Sequence, residues 1–183
     1  GVDVFFVISG YLITQMIQGD FAKGSFSLSH FYERRVRRIL PALLVMLSAT
    51  VPLAYVFLSA DLLADYSASL LGATWFSSNF VFWSEAGYFD RASEFKPLLH
   101  TWSLGVEEQF YLFFPAFFWV LYKFKWLIPG LSAVVVISFL MAQFGLSRDA
   151  EWPFYMLVSR AWELGLGAML AVVLAHSRIS EVR

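Results

Sequence analysis

The sequence contains no cysteine, which excludes disulfides, thiolate metal sites and a cysteine-based acyl-enzyme within this stretch. Charge is scarce as well. Only 15% of the 183 residues are charged, against about a quarter in soluble domains. The 13 Lys and Arg are offset by 14 Asp and Glu, a net charge of −1 that leaves no basic excess for nucleic acid. The same low charge excludes an intrinsically disordered chain. Three scattered histidines lack the spacing of a metal site. What fills the sequence instead is apolar: 59% hydrophobic and 19% aromatic residues, with a mean hydropathy of +0.65. That composition argues against a soluble single-domain enzyme.

Apolar runs of about 20 residues are long enough to cross a bilayer. Five such runs occur: Val2 to Ile17, Leu40 to Ser59, Leu104 to Tyr122, Trp126 to Phe144 and Phe154 to Ala175. They are too long for barrel strands and do not alternate, so helices are expected. The fold expected is therefore an all-α, polytopic transmembrane bundle of about five spans. The stretch Ser67 to Trp83 carries too many hydroxyls for a lipid-facing span and is expected to be an interfacial or re-entrant helical segment.

Charge placement supports that topology. If the stretch does not cross, nine basic residues share one side (Lys23, Arg34, Arg35, Arg37, Arg38, Lys123, Lys125, Arg178 and Arg183). Arg91, Lys96 and Arg148 then lie on the other, with Arg160 inside a span. If it crosses, the split is eight to four. The positive-inside rule selects the first arrangement, placing the arginine cluster in the cytoplasm and residues 61–99 outside. Gly1 opens within an apolar run and no basic leader precedes it, so the expectation is an internal piece of a longer membrane protein.

Pro41 is expected at the start of a span, where a missing N–H costs least, and Pro115 inside one, where it should kink the helix. Gly165, Gly167 and Ala171 give the last span a small-residue face suited to close packing. Trp75, Trp83, Trp102, Trp119, Trp126 and Trp152 fall near span ends and read as interfacial belts.

Four polar constellations stand out. Arg34, Arg35, Arg37 and Arg38 cluster at one mouth of the second span, with Arg34 and Arg38 on one helical face. Guanidinium forks bind phosphate oxygens; the same cluster would also serve as a topological anchor on anionic lipid. His100 precedes Glu107, Glu108 and Gln109 in the third span. Carboxylates inside a membrane face a partner or a wet cavity, and a histidine near a carboxylate is suited to proton transfer. Arg160 and Glu163 lie three residues apart in the last span, either as an intrahelical pair or with Arg160 reaching Glu107 or Glu108 across helices. Asp3 lies at the outer end of the first span, where it would orient a histidine if buried or be solvated at the interface. Ser9 reads as a packing hydroxyl.

These stretches also carry a resemblance. Gly1-Val2-Asp3-Val4-Phe5-Phe6-Val7-Ile8-Ser9-Gly10-Tyr11-Leu12-Ile13 resembles the second-helix motif of the acyltransferase-3 family of membrane O-acyltransferases. Phe31 to Pro41 is similar to its F-x-x-R-R-x-x-R-I-x-P signature. Gly87-Tyr88-Phe89-Asp90, the long block from Pro97 to Leu112, and Ser159 to Ala168 are similar to further landmarks, in the same order. Residues 1–183 would then be part of one membrane acyltransferase domain, without its preceding helix, its later helices or any C-terminal SGNH-like domain. The resemblance is strongest to members that modify lipopolysaccharide or peptidoglycan.

The resemblance implies transfer of an acyl group, acetyl above all, from acyl-CoA to hydroxyls of cell-envelope glycans such as lipopolysaccharide O-antigen or peptidoglycan. Acetyl-CoA would be a donor substrate rather than a resident cofactor, with no metal. The partners implied are acyl-CoA, an envelope polysaccharide or lipid-linked glycan, membrane lipids and, where present, an SGNH-like domain, in the inner membrane. By position, Arg34, Arg35 and Arg38 would engage the CoA phosphates. Asp3 and Glu107, with His100, would serve the catalytic site, and Glu108, Arg160 and Glu163 would support it. The family's essential histidine lies on the helix before the Gly1 motif, so these residues alone are expected to be inactive. The alternative class is a transporter whose Glu107, Glu108, Arg160 and Glu163 relay ions or protons; a membrane anchor would leave the buried charges unexplained.

Overall fold

The computed structural model describes residues 1–86, 96–147 and 151–181, with side chains to residue 177. The described residues form eight helices: α1 (Val2–Ala22), α2 (Leu28–Phe57), α3 (Ala60–Thr74), α4 (Ser78–Glu85), α5 (Thr101–Lys123), α6 (Leu127–Leu146), α7 (Glu151–Tyr155) and α8 (Leu157–Glu181). No strand occurs among them. Four of the helices (α1, α2, α6 and α8) are long and apolar enough to cross a membrane. The fifth expected span forms α5. Its 23 residues would reach about 34 Å, but with Glu107, Glu108 and Gln109 it is not among those four. The chain separates into two compact units, residues 1–26 with 107–183, and residues 27–106, so that α5 belongs to both.

In the first unit α8 is the central element, packed along α1 and α6. Small residues set both crossings. A Cβ added at Gly10 would overlap the Leu164 carbonyl, and one at Gly167 would overlap the Val7 carbonyl. The backbones of α1 and α8 thus touch, as small-residue faces permit in membranes. Phe6, Ser9, Gly10, Ile13, Thr14 and Ile17 form the buried face of α1 at helical spacing. The Thr14 hydroxyl donates to the Gly10 carbonyl at 2.7 Å, and so needs no partner from lipid. Along α6, Ser138 Oγ accepts the Trp162 N–H at 2.9 Å, Val135 faces Gly165 and Ser132 reaches Met169. As residue numbers rise in α8 they fall in α6, so the two helices are antiparallel.

α5 joins α6 through a tight turn. The Lys125 N–H donates to the Tyr122 carbonyl and the Trp126 N–H to the Leu121 carbonyl, with Lys125 left-handed at φ 58°. This is the Schellman pattern, and it makes α5 antiparallel to α6. α1 ends the same way on Gly24, at φ 64°. Phe21, near the end of α1, stacks on Tyr122 near the end of α5 at 4.8 Å. Hence α1, α5 and α8 run in one direction and α6 in the other.

The last expected span is interrupted. α7 stops at Tyr155 and α8 starts at Leu157, with Met156 between them. The Met156 N–H still donates to the Trp152 carbonyl, while buried Ser159 directs its hydroxyl to the Pro153 and Met156 carbonyls, both at 2.9 Å. Side-chain donors of this kind are what allow a helix break at membrane depth.

In the second unit, α2 starts twelve residues before the expected span. Pro41 and Pro52 therefore both lie inside the helix, which corrects the expectation that Pro41 opens it. Thirty residues reach about 45 Å against a hydrocarbon core of about 30 Å, so roughly ten lie outside it. The stretch expected to be interfacial forms two short helices, α3 and α4, neither long enough to cross by itself. Its hydroxyls are satisfied locally: Ser67, Ser69 and Thr74 donate to carbonyls four residues back. Phe76 adopts φ 53° at the turn between the two helices. A Cβ on Gly105 would lie 3.1 Å from the Phe76 carbonyl oxygen, so glycine lets the start of α5 approach that turn. Trp102 is buried at 6% exposure rather than placed at an interface, whereas Trp75 and Trp126 are exposed as expected.

Candidate active site

The parallel run of α1, α5 and α8 brings their amino-terminal thirds to one end of the first unit. Asp3, Glu107, Arg160 and Glu163 all lie in those thirds. Phe110 and Phe114 of α5 share a cavity of about 150 Å³ with Leu157 and Ala161 of α8, which sets the two helices at the same level. The opposite ends of α1 and α5 lead to Lys23, Lys123 and Lys125.

Arg160 is the hub of the charged group. Its Nη2 lies 2.5 Å from Asp3 Oδ1 and 3.3 Å from Glu163 Oε2. Its guanidinium carbon also stands 5.4 Å from the centre of the Phe6 ring and 5.7 Å from that of Phe154. The two rings exclude water from the flanks and favour a cation there. Glu163 is 2% exposed. A carboxylate so placed costs several kcal/mol unless a cation faces it. The intrahelical Arg160–Glu163 pair is one the spacing allows; no local spacing marks the Asp3–Arg160 pair, 157 residues apart. The Asp3 side chain is 66% exposed among the described residues.

Glu107 is buried on the inner face of α5 and accepts a hydrogen bond from the Tyr111 hydroxyl one turn on. Tyr111 was not singled out from the sequence, although an i,i+4 Glu–Tyr spacing was there to see. Glu108, about 100° further round the helix, is half-buried. His100 is exposed just before α5. Ser9 packs at 7% exposure, in keeping with a packing hydroxyl.

In the second unit, the arginine cluster lies in the first turns of α2, on continuous helix. Arg35 turns inward with Phe31, at 8% and 0% exposure, whereas Arg37 and Arg38 face outward. Arg34 donates to His30 Nδ1 at 2.8 Å, and Arg37 pairs with Glu33 at 2.8 Å on the exposed face. The Gly87–Asp90 motif lies outside the described residues. Among the described residues, no three His, Asp or Glu side chains are grouped as a metal site would need.

Apolar helices of spanning length, two of them joined by the Asp3–Arg160 pair, define a multi-pass membrane domain. Residues 1–182 match the profile of the acyltransferase 3 family, described as an acyltransferase domain. The chain belongs to that family. It is 35% identical to the peptidoglycan O-acetyltransferase OatA of Listeria monocytogenes, over all of this chain and 30% of OatA. It is 34% identical to a Staphylococcus aureus (strain COL) protein whose name carries a provisional O-acetyltransferase assignment, over 93% of this chain and 29% of that one. An uncharacterized protein of Haemophilus influenzae is also 34% identical, over 93% of this chain and 74% of its own length. The chain thus spans about 30% of the length of the first two relatives. No solved structure matches.

Proposed function

We propose that this chain is part of a membrane enzyme that moves an acetyl group from acetyl-CoA to hydroxyls of an envelope glycan, with peptidoglycan as the leading acceptor. The observation that carries the proposal is the Asp3–Arg160–Glu163 group, with buried Glu107 in the corresponding third of a parallel helix, in a family of acyltransferases. Similarity to a peptidoglycan O-acetyltransferase favours that acceptor, and the family match favours an enzyme over an ion relay.

In the reaction, a sugar hydroxyl oxygen attacks the thioester carbon. The new ester C–O bond forms, the C–S bond breaks, and the hydroxyl proton passes to a base and from it to the departing CoA thiolate, which leaves as the free thiol. The family resemblance assigns that base to a histidine on a helix preceding Gly1. Glu107 and Asp3 would orient the acceptor hydroxyl, His100 would stand at the outer mouth, and Glu108, Arg160 and Glu163 would hold the cluster together. Arg34, Arg35 and Arg38 would hold the CoA phosphates on the cytoplasmic side, with residues 61–99 outside. Arg38 is exposed and shares a helical face with Arg34, as a phosphate clamp requires.

The test is an arginine-to-alanine series at positions 34, 35 and 38 in the intact protein. Acetyl-CoA affinity should fall about tenfold or more for each phosphate contact removed, as expected for charge-assisted hydrogen bonds. Unchanged acetyl-CoA binding across the series would remove the donor-site assignment.

A further inference from the structure

We infer that Tyr111 is a positioning residue for the transfer reaction, acting through Glu107; the inference rests on the proposed role of Glu107 above. Glu107 and Tyr111 lie one turn apart on the buried face of α5, at 8% and 3% exposure. The phenol donates to Glu107 Oε1. A carboxylate at the end of two methylenes has three rotatable bonds, and a hydrogen bond to one oxygen fixes the rotamer and the plane of the group. The lone pairs of Oε2 then point in a set direction.

The tyrosine is itself held. Its ring meets Phe110 edge-on, with centroids 6.1 Å apart, and it is nearly inaccessible to solvent. Glu107 also lies just two turns before Pro115, whose missing N–H frees a carbonyl on α5 and permits the helix to bend. In such a helix the direction of a carboxylate is poorly set by backbone alone. A rigid phenol four residues on supplies the reference.

Positioning residues contribute to rate through geometry, because small misplacements of a reacting group are costly. Tyr111→Phe removes the hydroxyl and retains the packed ring, so it should leave folding intact. In the purified intact protein, acetyl transfer by this variant should show a kcat about tenfold lower with the KM for acetyl-CoA unchanged. Glu107→Gln should lower kcat further, and the double variant should be no slower than Glu107→Gln alone, because the proposed action of the phenol runs through that carboxylate. Glu107→Asp, which draws the carboxylate back from the phenol, should reproduce the loss seen with Tyr111→Phe.

A normal kcat for Tyr111→Phe beside a slow Glu107→Gln would overturn the inference and leave the role of Glu107 standing. A double variant tenfold slower than Glu107→Gln would also overturn it, since the hydroxyl would then act independently. Full activity in Glu107→Gln would overturn the reading of Glu107 itself.

Discussion

Arg160 faces two carboxylates that differ in how much they depend on it. Glu163 is buried at 2% exposure, whereas the Asp3 side chain is 66% exposed among the described residues. Replacing Arg160 by Met should therefore destabilise the protein by about 3–5 kcal/mol, the usual cost of stranding a buried charge. Adding Glu163→Gln to Arg160→Met should recover much of that loss. Asp3→Asn should change stability by less than about 1 kcal/mol, the range of solvent-exposed pairs, while lowering acetyl transfer if Asp3 orients the acceptor. Thermal unfolding in detergent separates these outcomes. Equal destabilisation by Asp3→Asn and Arg160→Met would contradict the burial argument.

At the scale of the helix, the α1–α8 contact is the element that carries Asp3 to Arg160, and it depends on two glycines whose hydrogens face backbone. Gly10→Leu or Gly167→Leu should force the helices apart at a cost of at least about 1–3 kcal/mol, seen as lost folded yield on size-exclusion chromatography. Gly19, on the same α1, has nothing within 4 Å of an added Cβ, so Gly19→Leu is the neutral comparison. Folded yield for Gly167→Leu equal to that of Gly19→Leu would refute the close crossing.

Elements like these were partly legible beforehand. Hydropathy located the four apolar spans and the small-residue face of α8, because lipid imposes both length and packing. It bounded the second span but not the helix ahead of it, since hydropathy reports on the solvent and not on helicity: Glu33 and the arginines are good helix formers that simply leave the hydrocarbon. The break at Met156 left no mark in an unbroken apolar run. Trp102 near a span end gave no sign of whether lipid or protein would cover it.

For the molecule as a whole, the site residues were legible as types and not as partners. Charge inside a membrane is costly enough to mark Glu107, Arg160 and Glu163 from sequence alone. The Arg160–Glu163 pair follows from spacing, but Asp3–Arg160 exists only because α1 and α8 run parallel, which no local pattern records. Charge placement along the sequence, not the helix packing, supports the proposed topology. The arginines proposed to hold the donor should face the cytoplasm, and Asp3 and Glu107 the opposite leaflet. The chain contributes no cysteine of its own, so single cysteines introduced at Val36 and Ser103 can be labelled without background from it. With a membrane-impermeant maleimide, Ser103→Cys should react in intact cells and Val36→Cys only after permeabilisation. Reaction of both from the same side of the membrane would contradict the account.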